Sequence, residues 1–515
     1  MYRLNRRVFL GSGLALAGGA AWGGSYADAH LKLRPSRTLN TLPLDYNGFS
    51  VETAQLADPS YYDEGNTSCV ALHRRLSPRG VLRLGGNTSE FCWWKTSADA
   101  QPPQIKSLGQ GRDDNFMPQR FTAIAPRAVD NLRGFLDASG WTCIYGLNFG
   151  TGSPERDAEE AAYVAKALGP KLLYFQIGNE PDFYKDPNNL LRPPGWDFPD
   201  YLNEWVAIAD AVVRRVPNAK FGGPDVGSSA DWVVRFAREA PRRLGSRLLG
   251  LSGHYYAEGP PNSPDANIAN LLRADPRVAQ RMNEIIPAAK AAGLAFHMTE
   301  GNSCFRGGKP DMSNALASAL WGGDYMLDMA ARSCKGIDFH GGTGRQIAAS
   351  VGDKLPGARN EADMAVARLG TFYSPFAGNR TEGFDARPLF YGMMLVEQFA
   401  GTTLFANAFE AQGVNATAYT ARAANRYRIA LFNKDAGRDL RVRIDLSGLH
   451  ARRVKVWRLN GPALDATKHI TLAGAEISHG TAAWAPKKTE TIRAKDAAIV
   501  VRLPRASAIL LFVDV

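Results

Sequence analysis

Cysteine is scarce here, and its placement argues against both a disulfide framework and a metal site. Cys69, Cys92, Cys143, Cys304 and Cys334 are odd in number and widely spaced, with no CxxC pair and no Cys/His ligand spacing. At most one or two bridges can form, and neither a zinc site nor a cofactor is expected. Long apolar runs are missing after the N-terminus, so no membrane-spanning helix is expected. No Gly-rich dinucleotide fingerprint follows the first predicted strand. Internal repeats and low-complexity tracts are absent as well. The formal charge is +11, yet its Lys and Arg are scattered and form no basic run. Nucleic acid is therefore not an expected partner, whereas an acidic polysaccharide is compatible. A monomer is expected.

What is present begins with a targeting segment. Asn5-Arg6-Arg7-Val8-Phe9-Leu10 is a twin-arginine signature, a Gly/Ala-rich stretch follows, and Ala27-Asp28-Ala29 offers a small-residue cleavage site. Residues 1–29 are thus expected to direct export of a folded protein to the periplasm or beyond, with no membrane association once they are removed.

The 515 residues exceed one hydrophobic core and suit a barrel plus a smaller domain. Through about residue 400, apolar β-rich runs alternate with amphipathic helical patterns. The strand candidates are Tyr46–Val51, Val81–Leu84, Trp141–Leu147, Leu172–Ile177, Lys220–Gly222, Leu249–Tyr255, Ala295–Met298 and Gly336–Phe339. Between them the helical stretches include Phe121–Leu136, Tyr201–Val213, Arg277–Ala292 and Asn314–Ala331, and Leu389–Phe399 is the last. Polar residues recur at strand ends, which favours a (β/α)8 barrel over a doubly wound sheet. From about residue 403, short alternating runs separated by Gly, Asn, Asp and Pro predict an antiparallel β-sandwich. The expected division is a barrel over 43–402 and a sandwich over 403–515, joined by an N-terminal strand at about 30–42.

Two glutamates stand out. Glu180, in Gly178-Asn179-Glu180-Pro181, and Glu300, in Thr299-Glu300-Gly301, each follow a short apolar run. They are roughly 120 residues apart, three strand-plus-helix units, so they face one another across a barrel mouth. Opposed carboxylates there suit retaining cleavage of a glycosidic bond, which needs an acid/base and a nucleophile about 5 Å apart. Asn179 is placed to bind a sugar 2-hydroxyl. His254-Tyr255-Tyr256 ends the neighbouring strand, and a tyrosine there can hydrogen-bond the nucleophile or simply pack. Glu52 and Asn87 sit at the ends of the first two strands. Trp93 and Trp94 can stack on sugars or pack a loop, and His340 ends the eighth strand.

Taken together these residues resemble glycoside hydrolase family 79, the β-glucuronidase and heparanase family, most closely its bacterial exo-acting members. Gly178-Asn179-Glu180-Pro181-Asp182, Gly223-Pro224-Asp225-Val226-Gly227, His254-Tyr255-Tyr256 and Thr299-Glu300-Gly301-Asn302-Ser303-Cys304 carry the resemblance. It implies Glu180 as acid/base and Glu300 as nucleophile in a retaining exo-β-glucuronidase. It also implies substrate contacts from Glu52, Asn179 and Tyr256. Asn87, His254 and Asn302 are further binding candidates, and Phe305 and Gly307 belong to a loop that recognises the sugar carboxylate. Bacterial exo-glucuronidases of the family present a tyrosine hydroxyl at the position of Phe305. One missing hydrogen bond to a buried carboxylate is worth about 1.5–3 kcal/mol. A modified or uncharged sugar, another clan glycosidase (a β-glucosidase or β-xylosidase), and a non-catalytic carbohydrate-binding protein are the alternatives.

Overall fold

The structure, a computed structural model, describes residues 26–103, 121–186, 189, 191–352, 354–449 and 451–515. The twin-arginine segment lies outside these residues.

Eight strands close into a parallel barrel. In chain order they are Asn47–Glu52, Val81–Gly85, Thr142–Leu147, Leu172–Ile177, Phe221–Val226, Leu248–Glu258, Ala295–Cys304 and Cys334–Gly341, the eighth pairing with the first. Each coincides with a predicted strand, because a strand buried on both faces reads as a continuous apolar run. Four are several residues longer than expected; the fifth runs to Val226 and the eighth spans Cys334–Gly341. The sixth runs to Glu258 and the seventh to Cys304, so Glu300 lies inside its strand and not beyond its end. Polar residues such as Asn302 and Ser303 break the apolar pattern there, which hid the continuation.

The helices cover the barrel. The first expected helix starts late, at Pro126, and runs to Ser139. Proline suits the first turn of a helix and disfavours helical geometry in the residue before it. The preceding Thr122–Ile124 pairs as a short strand with Cys92–Trp94 instead.

Apart from the small hairpin Phe376–Asn379/Gly383–Ala386, the remaining strands form one ten-stranded sheet folded over itself, with Ala27–Thr41 among its inner strands. That strand pairs antiparallel with Thr403–Glu410 and parallel with Leu440–Asp445, among the described residues the one parallel pair in an otherwise antiparallel sandwich. It begins at Ala27, ahead of the expected 30, and Ala29 is already buried in it. Alternation explains how the sheet serves two cores. In the strand Arg426–Asn433, Ile429 and Leu431 join the sandwich interior, whereas Ala430 and Phe432 pack against the barrel side. Helices Leu316–Ala331 and Pro388–Glu397 are buried nearly all round, because they lie between barrel and sheet. Gly392 permits this: a Cβ there would come within 2.2 Å of the Ala319 carbonyl oxygen. Asp324, on the first of these helices, accepts hydrogen bonds from Tyr419 Oη at 2.8 Å and from the buried Lys434, which ties the sandwich to the barrel. No helix among the described residues is long and apolar enough to cross a membrane. All five cysteines are buried free thiols.

Candidate active site

The floor of the barrel mouth is organised by Arg83, a residue in the second strand that is fully buried. All three guanidinium nitrogens are engaged. Nε donates to Gln176 Oε1 at 3.0 Å, Nη1 to Ser50 Oγ at 3.1 Å and to Glu300 Oε2 at 2.6 Å, and Nη2 to Asn179 Oδ1 at 2.8 Å and to Asp225. One cation on the second strand thus fixes side chains from the first, fourth, fifth and seventh strands. The signal for it was a lone charged residue inside an otherwise apolar strand, but nothing local says what it faces.

Glu300 reaches the interior through an irregularity. Pairing with the sixth strand shifts register between Met298 and Glu300. Such a bulge re-aims side chains, and Thr299 and Glu300 both point inward, Thr299 Oγ1 donating to Asp225 Oδ1. Tyr256 Oη donates to Glu300 Oε1 at 2.8 Å. Tyr255, on the opposite parity, turns outward, bonds Asp275 at 2.7 Å and stacks on Tyr325. His254 and Tyr256 share the inward parity.

Glu180 stands just past the fourth strand in left-handed geometry, φ 49°, and Asp225 opposite it has φ 62°. Non-glycine residues held this way cost about 1–3 kcal/mol each and cluster at functional sites. The Glu180 N–H donates to the Asp225 carbonyl at 2.9 Å, so each strand end holds the other in place. His254 is wedged between them, Nδ1 at 3.0 Å from Glu180 Oε1 and Nε2 at 3.1 Å from Asp225 Oδ1.

The electrostatics separate the two glutamates. Burial acts to raise the Glu300 pKa, but His340, His254 and Arg83, with the Tyr256 hydrogen bond, outweigh it and hold this carboxyl well below the usual range. Burial dominates at Glu180 and raises its pKa, with the Glu300 charge adding to the effect against His254. At His254 burial opposes the charge, yet Asp225 and Glu300 push its pKa up to about 10. Arg83 and protonated His254 balance ionised Asp225 and Glu300, and at Glu180 burial outweighs the pull of His254. The Glu180 carboxyl therefore holds a proton more readily than that of Glu300. Glu180, His254 and Glu300 bring one donor atom each within 4.8 Å of one another.

Above them lies a cavity of about 420 Å³ lined by both glutamates together with Glu52, Asn87, Tyr256, Phe305, Arg306, His340 and Tyr373, among others. Glu52 accepts from Thr88 N at 2.9 Å and Thr88 Oγ1 at 2.7 Å, and lies 3.3 Å from His340 Nε2. Asn179 lies beneath the cavity, its Nδ2 donating to Asn87 Oδ1 at 3.2 Å.

Three expected binding residues are placed differently. His254 is fully buried behind Glu180 and holds that carboxyl instead of meeting substrate. Asn302 is also fully buried, its Nδ2 donating to the carbonyls of His340 and Tyr373 at 2.8 and 2.9 Å, so it ties strands together. Gly307, at φ +90°, packs toward Ile347 and Leu355 and turns the loop. Depth behind Glu180 for His254, ties to neighbouring carbonyls for Asn302 and the loop turn for Gly307, none of them visible in one sequence, keep these residues from the cavity. Trp93 and Trp94 border a second cavity of about 250 Å³, apart from the main one. Sequence reasoning missed Tyr373 altogether. It comes from a loop beyond the eighth strand, its ring centre 6.2 Å from that of Tyr256 and 5.8 Å from that of His340.

A parallel eight-stranded barrel whose mouth holds one carboxyl of raised and one of lowered pKa, with oxygens within 4.8 Å, has the arrangement of a retaining glycosidase site. In sequence the chain is similar to a β-glucuronidase of Aspergillus niger, 26% identical over 284 residues covering 51% of each chain. It is also similar to the heparanase of Mus musculus, 23% identical over 357 residues, covering 60% of this chain and 64% of that protein. These agree with the resemblance to the β-glucuronidase and heparanase family. The chain spans about half the length of the first curated relatives it matches. No family model matches it. Its fold is that of a 4-O-α-L-rhamnosyl-β-D-glucuronidase from Fusarium oxysporum, TM-score 0.70 at 17% identity, covering 95% of this chain and 99% of that one. A family 51 arabinofuranosidase from Xanthomonas axonopodis pv. citri shares the fold at TM-score 0.65 and 15% identity, covering 95% of this chain and all of the other.

Proposed function

We propose that the protein is a retaining exo-β-glucuronidase. The carrying observation is Glu180, whose pKa burial raises, facing Glu300, whose pKa its cations lower, with carboxyl oxygens within 4.8 Å. Glu300 attacks the anomeric carbon while Glu180 protonates the leaving oxygen, and a β-glucuronyl ester of Glu300 breaks down by water attack. The charge balance of the floor drives the switch between the steps. Forming the ester removes the Glu300 anion, so Arg83 and His254 then exceed Asp225 by one positive charge. That excess favours ionised Glu180, which now serves as the base for water. A glucuronate carboxylate is recognised by the loop Cys304–Lys309, where the Arg306 guanidinium lies 5.5 Å from the Phe305 ring centre and both line the cavity. The modest cavity fits one terminal sugar and its leaving group. The likeness to the Aspergillus β-glucuronidase supports the same glycone.

Nitrophenyl β-glycosides with glucuronide, 4-O-methylglucuronide, glucoside and xyloside glycones, assayed side by side, test this. The glucuronide is expected to have the highest kcat/KM, and a preference for glucoside or xyloside sinks the reading. Phe305→Tyr is expected to raise the glucuronide-to-glucoside ratio roughly fivefold to thirtyfold, about 1–2 kcal/mol for one charge-assisted hydrogen bond. A fall on glucuronide instead means the pocket is built around another C5 substituent.

We further propose export through the twin-arginine route to the periplasm or outside the cell, followed by action as a monomer. Five buried free thiols suit a protein that folds in a reducing cytoplasm before transport.

A further inference from the structure

The leaving-group side of the cavity is a wall held in place. The turn Pro181–Phe183 follows Glu180 directly. Asp182 in that turn accepts three backbone N–H bonds from the loop after the fifth strand: Gly227 at 2.8 Å to Oδ1, and Ser228 at 2.9 Å and Ser229 at 3.0 Å to Oδ2. This clamp sets the Phe183 ring over Gly227. A Cβ on Gly227 would stand 2.2 Å from that ring and 3.0 Å from Glu180 Oε1. The ring and the acid therefore flank one spot. A leaving oxygen within about 2.6–3.2 Å of Glu180 has the rest of its group against Phe183. Asp186 continues the same wall, its backbone N–H bonded to the Phe183 carbonyl at 3.0 Å and its side chain exposed at the cavity rim. Arg306 belongs to the carboxylate-recognition loop. Beyond the inner carboxylates Glu52, Glu180 and Glu300, Arg306 puts a cation on the glycone loop and Asp186 a carboxylate on the leaving-group wall.

The geometry points to a leaving group that carries no negative charge and presents a flat, partly apolar face: an aryl group, or the CH face of an unsulfated sugar. This rests on the glucuronidase reading for the glycone and adds the class of aglycone. Phe183 supplies the stacking surface, and Asp186 repels a sulfated or uronic-acid unit by placing like charges side by side.

The test compares kcat/KM for glucuronate β-linked to N-acetylglucosamine with the same disaccharide carrying a 6-O-sulfate on the glucosamine. The unsulfated compound is expected to be preferred roughly tenfold. Asp186→Lys, a charge reversal at an exposed position, narrows or inverts that ratio. Phe183→Ala raises KM for an aryl glucuronide more than it lowers kcat. Equal or faster cleavage of the sulfated compound by the wild type, or a ratio unmoved by Asp186→Lys, overturns the inference. Failure of the glycone reading looks different: neither glucuronide is turned over while the matching glucosides are, and the sulfate ratio is then read on the glucoside pair.

Discussion

Replacing Glu300 by glutamine is expected to lower kcat roughly 10⁴-fold or more, the scale seen when a nucleophile is removed. An amide cannot form the glycosyl ester, and it also takes away the anion that Arg83 and Tyr256 hold at 2.6 and 2.8 Å. Glutamine keeps the shape and an acceptor oxygen for Arg83, so the loss is chemical rather than steric. A 2-deoxy-2-fluoro glucuronide with a good leaving group should accumulate as a covalent adduct on the wild type. Peptide mass analysis should place it on Glu300. A label on any other residue overturns the assignment.

Glu180→Ala is expected to show the second largest effect, and an uneven one. Substrates with poor leaving groups should lose roughly 10²–10⁴-fold, the usual worth of general acid catalysis, whereas nitrophenyl glucuronides, which need little protonation, should lose much less in the first step. Azide should restore turnover and yield a glycosyl azide of retained β-configuration. The pH profile gives an independent reading. Because burial raises the Glu180 pKa, the acid form persists to higher pH, and wild-type activity is lost as pH climbs through that value. Because His340, His254 and Arg83 depress Glu300, the acid limb falls only well below the usual carboxylate range. Glu180→Ala should abolish the alkaline limb and leave the acid limb in place. Equal losses on both substrate kinds, or an alkaline limb that survives, would sink the acid/base role.

Much of the fold was legible because its signals are local. Leu172–Ile177 reads as a buried strand from six consecutive positions, and the Ile429–Phe432 region reads as sandwich from its apolar texture. Glu180 was legible for the same reason, since Gly178 and Pro181 mark a strand ending on either side of it. The extent of the seventh strand was not, because its last residues are polar and owe their strand geometry to pairing with Tyr255, Tyr256 and Glu258. Nor was the parallel pairing of Ala27–Thr41 with Leu440–Asp445, whose partners are separated by most of the chain.

By itself the sequence determined the succession of barrel strands, the change to sheet after residue 400, and the two glutamates at the barrel mouth. Periodicity and turn residues act over a few positions, and these features need nothing more. Only the tertiary structure decided what makes the glutamates unequal. Arg83, Asp225 and His254 are single polar residues in three different strands, and their meaning lies in which neighbour each one faces. It also decided that Tyr256 meets the nucleophile while Tyr255 faces a helix, that Asn302 is a tie rather than a ligand, and that Tyr373 enters the cavity from a distant loop. Charge balance in a buried site is a sum over groups brought together by barrel closure, and no stretch of chain carries that sum alone.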